Sequence, residues 1–174
     1  EGRWDIPARL NMARQCLDFP NDQVAVIDLT GDQRADVTYG QLHEMVDGLA
    51  RSLMRRVVAG DHVGVLLSQS PWCLAAHLAI WKIGAISVPL FKLFKRDALA
   101  SRIGDSGLEL VLTDVEGAKL VGDLAQPLLA NRIGRRGAEV PSADTGPDDP
   151  AVLIYTSGTT GSPKGALHGH RVLT

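Results

Sequence analysis

The sequence is short of several things at once, and each shortage closes off a class of protein. Only two cysteines occur in 174 residues. Cys16 and Cys73 stand far apart with no metal-ligand spacing around them. That excludes a disulfide-stapled scaffold and points to free thiols in a reducing, cytoplasmic setting. Aromatic residues make up 5% of the chain, so the core must be built from Val, Leu, Ile and Ala. Neither sign of charge dominates: 18 Lys and Arg face 20 Asp and Glu, a formal charge of −2. That balance implies neither a nucleic acid nor an anionic membrane as obligatory partner. The longest apolar stretches, 63–67 and 73–81, are too short or too interrupted to span a bilayer. No signal peptide opens the chain, and no solenoid-length repeat runs through it.

What remains is ordinary globular material, 45% hydrophobic and 22% charged. A chain of this length buries about 70% of its unfolded surface. It begins at Glu1 without Met, and residues 170–174 read as the first turn of a helix with no glycine cap or proline after it. The expectation is a piece of a longer polypeptide.

Residues 7–19 carry Leu10, Ala13 and Leu17 on one stripe, which predicts a short helix broken at Pro20. Residues 23–29 read as a strand followed by a turn at 30–32. Thr38 with Gln41 forms a capping-box pattern ahead of a long helix whose stripe is Leu42, Met45, Val46, Leu49 and Leu53. Residues 61–67 are almost continuously apolar, the pattern of a strand buried on both faces. Ser70 and Pro71 are an N-cap and N1 pair opening a helix over 72–83, apolar nearly all round. A strand at 86–90, a helix at 97–105, a strand at 108–113 and a helix at 116–124 follow. Strand–helix alternation at this pitch predicts an α/β fold with a largely parallel sheet flanked by helices. Residues 132–150 turn to Gly, Arg, Pro, Ser and Asp with no apolar period, and read as an exposed linker in which Arg132, Arg135 and Arg136 are solvated. The organisation expected is an α/β portion at 1–131, the linker at 132–150, and a strand–loop–strand ending in the start of a helix at 151–174.

The chemistry concentrates after the strand 151–155. Thr156, Ser157, Gly158, Thr159, Thr160, Gly161, Ser162, Pro163, Lys164 and Gly165 follow in one run. Glycines let the backbone approach a ligand without a Cβ, and successive N–H groups can form a concave anion site. Hydroxyls add neutral donors and Lys164 adds one compact charge. These are the parts of a loop that wraps a polyphosphate. It is not a Walker A loop, because Pro163 separates Gly161 from Lys164 and residues 165–168 read as extended chain rather than helix. His168 and His170 flank Gly169 with no third metal ligand in view. His43, His62 and His77 are scattered, and Asp97, Asp105 and Asp114 lack paired-carboxylate spacing.

The segment 155–165 resembles the signature of the adenylate-forming, AMP-binding superfamily, which includes acyl-CoA synthetases, adenylation domains of peptide synthetases and luciferases. Residues 166–171 extend the match, and 38–42, 60–63 and 84–90 resemble family segments upstream. Phe91-Lys92-Leu93-Phe94 and Asp148-Asp149-Pro150 lean toward the acetyl- and medium-chain acyl-CoA synthetase branch. The resemblance implies an incomplete N-terminal subdomain of such an enzyme. It implies attack of a carboxylate on the α-phosphorus of Mg-ATP, then transfer of the acyl group to coenzyme A. Thr156, Ser157, Gly158, Thr159, Thr160, Gly161 and Lys164 would hold the β- and γ-phosphates. The family's acid pocket, nucleoside contacts, metal-binding glutamate and catalytic lysine lie downstream of this loop. No catalytic or metal-ligating residue is therefore assigned, and the 174 residues alone are expected to be inactive. The stretch between Asp114 and Asp148 is shorter and richer in Arg and Gly than the family leads one to expect. A different reading is a non-catalytic truncated relative that self-associates or binds a partner through an exposed sheet edge.

Overall fold

The computed structural model describes residues 5–156 and 163–173. The first helix, α1 (Met12–Leu17), starts at Asn11, whose side chain accepts hydrogen bonds from the amides of Ala13 and Arg14. Strand β1 (Val24–Asp28) pairs antiparallel with β2 (Ala35–Thr38) in a two-stranded sheet of its own. β2 leaves little trace in the sequence, since Val37 is its one large apolar residue. Helix α2 (Tyr39–Leu53) follows at once, and Thr38 and Gln41 make the reciprocal capping box that their spacing predicts.

From here strand and helix alternate: β3 (His62–Leu66), α3 (Pro71–Lys82), β4 (Ile86–Pro89), α4 (Arg96–Ser106), β5 (Leu110–Thr113), α5 (Val115–Val121) and β6 (Gln126–Leu129). Ser70 caps α3 by accepting from the amide of Cys73, with Pro71 at the first helical position. β6 was not visible beforehand. Its four residues contain Pro127, which lacks a donor and is tolerated because β6 lies at a sheet edge. The last strands are β7 (Pro150–Thr156) and β8 (Lys164–Gly169), and a 3₁₀ turn, His170–Leu173, closes the described chain.

Six strands form one sheet in the order β6-β5-β3-β4-β7-β8. β3, β4, β5, β6 and β7 run parallel and β8 antiparallel, so the expected largely parallel sheet is present. Its two faces are covered differently. Val63, Val65, Leu110 and Leu112 pack with α1, α2 and α3, whereas Leu66, Val88 and Val111 pack with Leu99 and Ile103 of α4 and Val121 of α5. Helix α3 is apolar all round because it is enclosed by α1, α2 and the sheet. It therefore lacks the sharp polar stripe of a surface helix.

The segment between β6 and β7, expected as an exposed linker, is more than a tether. Much of it is exposed, but it is a strap fastened along its length. Arg51 Nη2 donates to the carbonyl of Arg135 at 2.9 Å, and its Nη1 donates to the carbonyl of Ala138. The Arg135 guanidinium lies 5.1 Å from the centroid of the Trp72 ring, so it stacks rather than floats. The strap passes so close to α2 that a Cβ on Gly48 would stand 2.6 Å from the carbonyl oxygen of Gly134. Val140 is 5% exposed and joins the core. Farther on, the amide of Ala143 donates to the carbonyl of Lys82 at 2.7 Å, and Leu10 and Thr145 exchange two hydrogen bonds of 2.8 Å. Glycine and arginine hid these attachments from a hydropathy reading because they are made by backbone atoms and by side chains of α2.

One attachment is a buried ion pair. Lys82 Nζ lies 2.7 Å from Asp47 Oδ1, with the two side chains 4% and 11% exposed. The same oxygen accepts the amide of Val140 at 3.3 Å. Replacing Asp47 alone strands an ammonium in the core, a change that costs about 3–5 kcal/mol in buried pairs. Asp47→Ala should lower unfolding stability by about that amount in urea titrations. The paired change Asp47→Leu with Lys82→Met should lose much less, and equal losses would show that the charge pairing is not what holds the strap.

Candidate functional site

Parallel strands end at a common rim, and in open α/β sheets ligands lie beyond that carboxyl rim. β7 is parallel to β4, so it delivers Thr156 to the same rim as Leu66, Pro89 and Thr113. β8 returns antiparallel, with register pairs from Val152↔His168 to Tyr155↔Gly165 and Thr156↔Lys164. The two ends of the predicted phosphate segment are thus cross-strand neighbours. Ser157, Gly158, Thr159, Thr160 and Gly161 lie outside the described residues. Thr156 and Lys164 are described, and both are exposed. Thr156 Oγ1 makes only a long contact of 3.5 Å to the carbonyl of Lys164. Among the described residues Lys164 makes no ion pair.

A second lysine near the rim is already neutralised. Lys92 Nζ lies 2.6 Å from Asp114 Oδ2 and 2.9 Å from Glu116 Oε2. Asp114 caps α5 by accepting the amide of Gly117 at 2.8 Å. Burial works against the charge on Lys92, but the two carboxylates outweigh it and raise its pKa. Burial likewise opposes the charge on Asp114, yet the Gly117 amide and Lys92 prevail and lower its pKa. Lys92 therefore has less charge to offer an incoming anion than Lys164. Nothing in the spacing of Lys92 from Asp114 and Glu116 marks them as a cluster, because the fold brings the chain after β4 against the start of α5.

Tyr155, the residue before Thr156, turns toward α4. Its hydroxyl donates to Asp105 Oδ2 at 2.5 Å. Burial and the Asp105 carboxylate push the phenol pKa up to about 12, so it stays a donor at neutral pH. Asp105 carried no signal as a lone carboxylate in the sequence.

Two of the histidines, His43 and His170, tie segments together. His168 belongs to β8, but His170 opens the 3₁₀ turn with its ring 1% exposed. His170 Nδ1 accepts the amide of Met12 at 3.1 Å, tying the last described segment to α1. His43 Nε2 pairs with the carbonyl of Leu17 at 3.0 Å. Among the described residues no group of three or more His, Cys, Asp or Glu is placed to hold a metal ion, so no magnesium ligand is assigned. Cys16 and Cys73 are free, half-buried thiols, and burial raises both pKa values. No helix among the described residues is long and apolar enough to cross a membrane.

Comparison with known proteins matches residues 12–174 to the family model described as AMP-binding enzyme. The acetyl-coenzyme A synthetase of Novosphingobium aromaticivorans is 34% identical over 210 residues, covering 95% of this chain and 32% of that protein. The chain thus spans about a third of the length of the curated relatives it matches. An alignment of 210 positions exceeds the 174 residues of this chain, so the relative carries residues with no counterpart here. Among solved structures, the N-terminal subdomain of Klebsiella oxytoca NpsA superposes with a TM-score of 0.79 at 26% identity, covering 97% of this chain and 43% of that one. ATP-bound MatB from Rhodopseudomonas palustris superposes with a TM-score of 0.75 at 25% identity, covering 92% and 35%.

Two histidines make stability depend on pH. Burial lowers the pKa of His77 on α3 to about 4, and burial lowers that of His170 despite the nearby Asp149 carboxylate. Both are held neutral when folded, and both bind a proton near pH 6.5 when unfolded. Their contribution is complete above pH 6.5 and is lost as pH falls toward 4, His77 accounting for roughly 3 kcal/mol. Urea midpoints measured from pH 7 to pH 4 should fall accordingly, and His77→Leu should flatten the profile. An unchanged slope in that variant would assign the acid sensitivity elsewhere.

Proposed function

The chain belongs to the AMP-binding enzyme family, and on that premise we propose that residues 156–164 hold the β- and γ-phosphates of ATP in an AMP-forming acyl-CoA synthetase. The reading is carried by one observation: the register Thr156↔Lys164 brings both ends of a hydroxyl- and glycine-rich segment to the carboxyl rim, with Lys164 in no ion pair among the described residues. The acetyl-coenzyme A synthetase relative and the ATP-bound structural neighbour support it.

In the reaction, a carboxylate oxygen attacks the α-phosphorus and the bond to the β-phosphate oxygen breaks. Pyrophosphate leaves with the electron pair, and an acyl-adenylate remains. The coenzyme A thiolate then attacks the acyl carbon and AMP leaves. Donors on the β- and γ-phosphates act on the leaving group, where negative charge develops. Thr156, Ser157, Thr159 and Thr160 supply hydroxyls, Gly158 and Gly161 allow backbone amides to approach, and Lys164 supplies charge. Magnesium arrives with the nucleotide and offsets phosphate charge; no described residue is assigned to it or to coenzyme A. The acid is a carboxylate, and the free thiols fit a cytoplasmic setting. These 174 residues bind polyphosphate weakly and do not catalyse adenylation by themselves.

A second reading draws on the edge strand β8, which among the described residues is paired only through β7 and exposes Leu167 by 54%. An unpaired edge is a template for association of two copies. Concentration-dependent sedimentation would favour it, and a monomer at every concentration would remove it.

The phosphate reading is tested by titrating the chain with inorganic tripolyphosphate and following amide chemical shifts. Saturable shifts are expected, and Lys164→Ala should weaken binding about tenfold, the loss of one charge-assisted contact. With ATP, acetate and hydroxylamine the chain should yield no hydroxamate. Absence of saturable binding would sink the phosphate site; hydroxamate formation would sink the claim of inactivity.

A further inference from the structure

The proposed phosphate segment begins immediately after Tyr155, and Tyr155 is where β7 is tied to the helix layer. Its hydroxyl donates to Asp105 Oδ2 at 2.5 Å in the last turn of α4. Arg102, three residues earlier on the same helix, lies with its guanidinium 4.1 Å from the Phe94 centroid and 5.9 Å from the Tyr155 centroid. The helix itself is a firm support. Leu99 and Ile103 are buried against the sheet, and Arg96 at its start pairs with Asp123.

The strand partner of Tyr155 is Gly165. A Cβ there would stand 2.9 Å from Leu153 Cδ1 and 3.4 Å from Tyr155 Cε1. The tight neighbour of that Cβ is the Leu153 methyl, and the Tyr155 ring lies beside Gly165 at van der Waals distance. The α4 carboxylate thus meets a hydroxyl one residue away from the first proposed phosphate donor. A tyrosine needed only for packing would require the ring and not this polar contact.

From these contacts we infer that Tyr155 is a positioning residue for the proposed phosphate site, its bond to Asp105 setting the course of β7 at Thr156. This rests on the reading of residues 156–164 as a polyphosphate site. The hydroxyl orients donors before the anion arrives, which reduces the ordering cost of binding. It touches no phosphate itself.

Tyr155→Phe keeps the ring and removes the hydroxyl. In the 174-residue chain titrated with inorganic tripolyphosphate, Tyr155→Phe and Asp105→Ala should each raise Kd about fivefold, the scale of one hydrogen bond. The double variant should be no weaker than either single one, the non-additivity of two groups acting through one contact. Asp105→Asn keeps an acceptor oxygen and should recover most of the affinity, a rescue that loss of packing would not show. Should Tyr155→Phe fail to fold, the contrast between Asp105→Ala and Asp105→Asn carries the same test. Unaltered affinity in Tyr155→Phe or Asp105→Ala, with the parent chain binding, overturns the positioning role alone. A parent chain that does not bind tripolyphosphate overturns the phosphate site and this inference with it.

Discussion

The whole rim depends on laying β7 beside β4, and the chain must do so from the far edge of the sheet. β6 ends at one edge, and β7 lies three strands away, across β5, β3 and β4. Parallel crossovers are usually made by a helix that packs its own apolar face on the sheet. Here no helix makes the return. A strap of irregular chain crosses over α2 and α3, and its backbone polar groups must find partners outside itself. Arg51, Asp47, Asn11 and the end of α3 supply them. The Asp47 carboxylate serves twice, neutralising Lys82 and accepting the amide of Val140. Without that shared oxygen, both a buried ammonium and a buried amide lose a partner, so the ion pair and the course of the strap stand or fall together.

Electrostatics at the rim follow from which charges are already paired. Lys92 is committed to Asp114 and Glu116, and Asp114 is further committed to capping α5. That network shields the start of α5 and leaves the region beside Thr156 to Lys164. A polyphosphate is drawn to positive charge that is not already compensated. A loop fixed at both ends by a strand pair also starts with less freedom to lose on binding than an open tail. The hairpin thus provides confinement, whereas a helix-mounted phosphate loop adds a dipole.

Much of this was legible in the sequence, and the parts that were not share a cause. The Thr38–Gln41 box, the Ser70–Pro71 start and the buried strands 62–66 and 110–113 were readable because their determinants are local in the chain. Helix α4 was expected at 97–105 and spans Arg96–Ser106, while α5 was expected at 116–124 and stops at Val121. β2 and β6 escaped because four-residue strands with one or two large apolar side chains carry almost no periodicity. The fastening of the strap is invisible in its composition because its partners, Arg51 and Asp47, belong to α2 and lie far away in sequence. The same holds at the site. Thr156 and Lys164, at the ends of the proposed phosphate segment, stand out by composition, but Tyr155–Asp105 and Lys92–Asp114 join residues 50 and 22 positions apart.

The two faces of the sheet meet at β7 in complementary ways. On the face of α1, α2 and α3, the strap runs directly into the strand, and Gly146 donates to Asp149 at its entrance. On the face of α4 and α5, Leu153 and Tyr155 pack into the second apolar cluster, and the phenol reaches Asp105. Gly165 lies against both, and a Cβ there would press on the Leu153 methyl at 2.9 Å. The hairpin is therefore held at its entrance by chain that arrives over one layer and near its tip by a side chain that leaves for the other. A strand supported from both layers resists rotation about its own axis, and rotation is the motion that would turn the donors of Thr156 away from the rim.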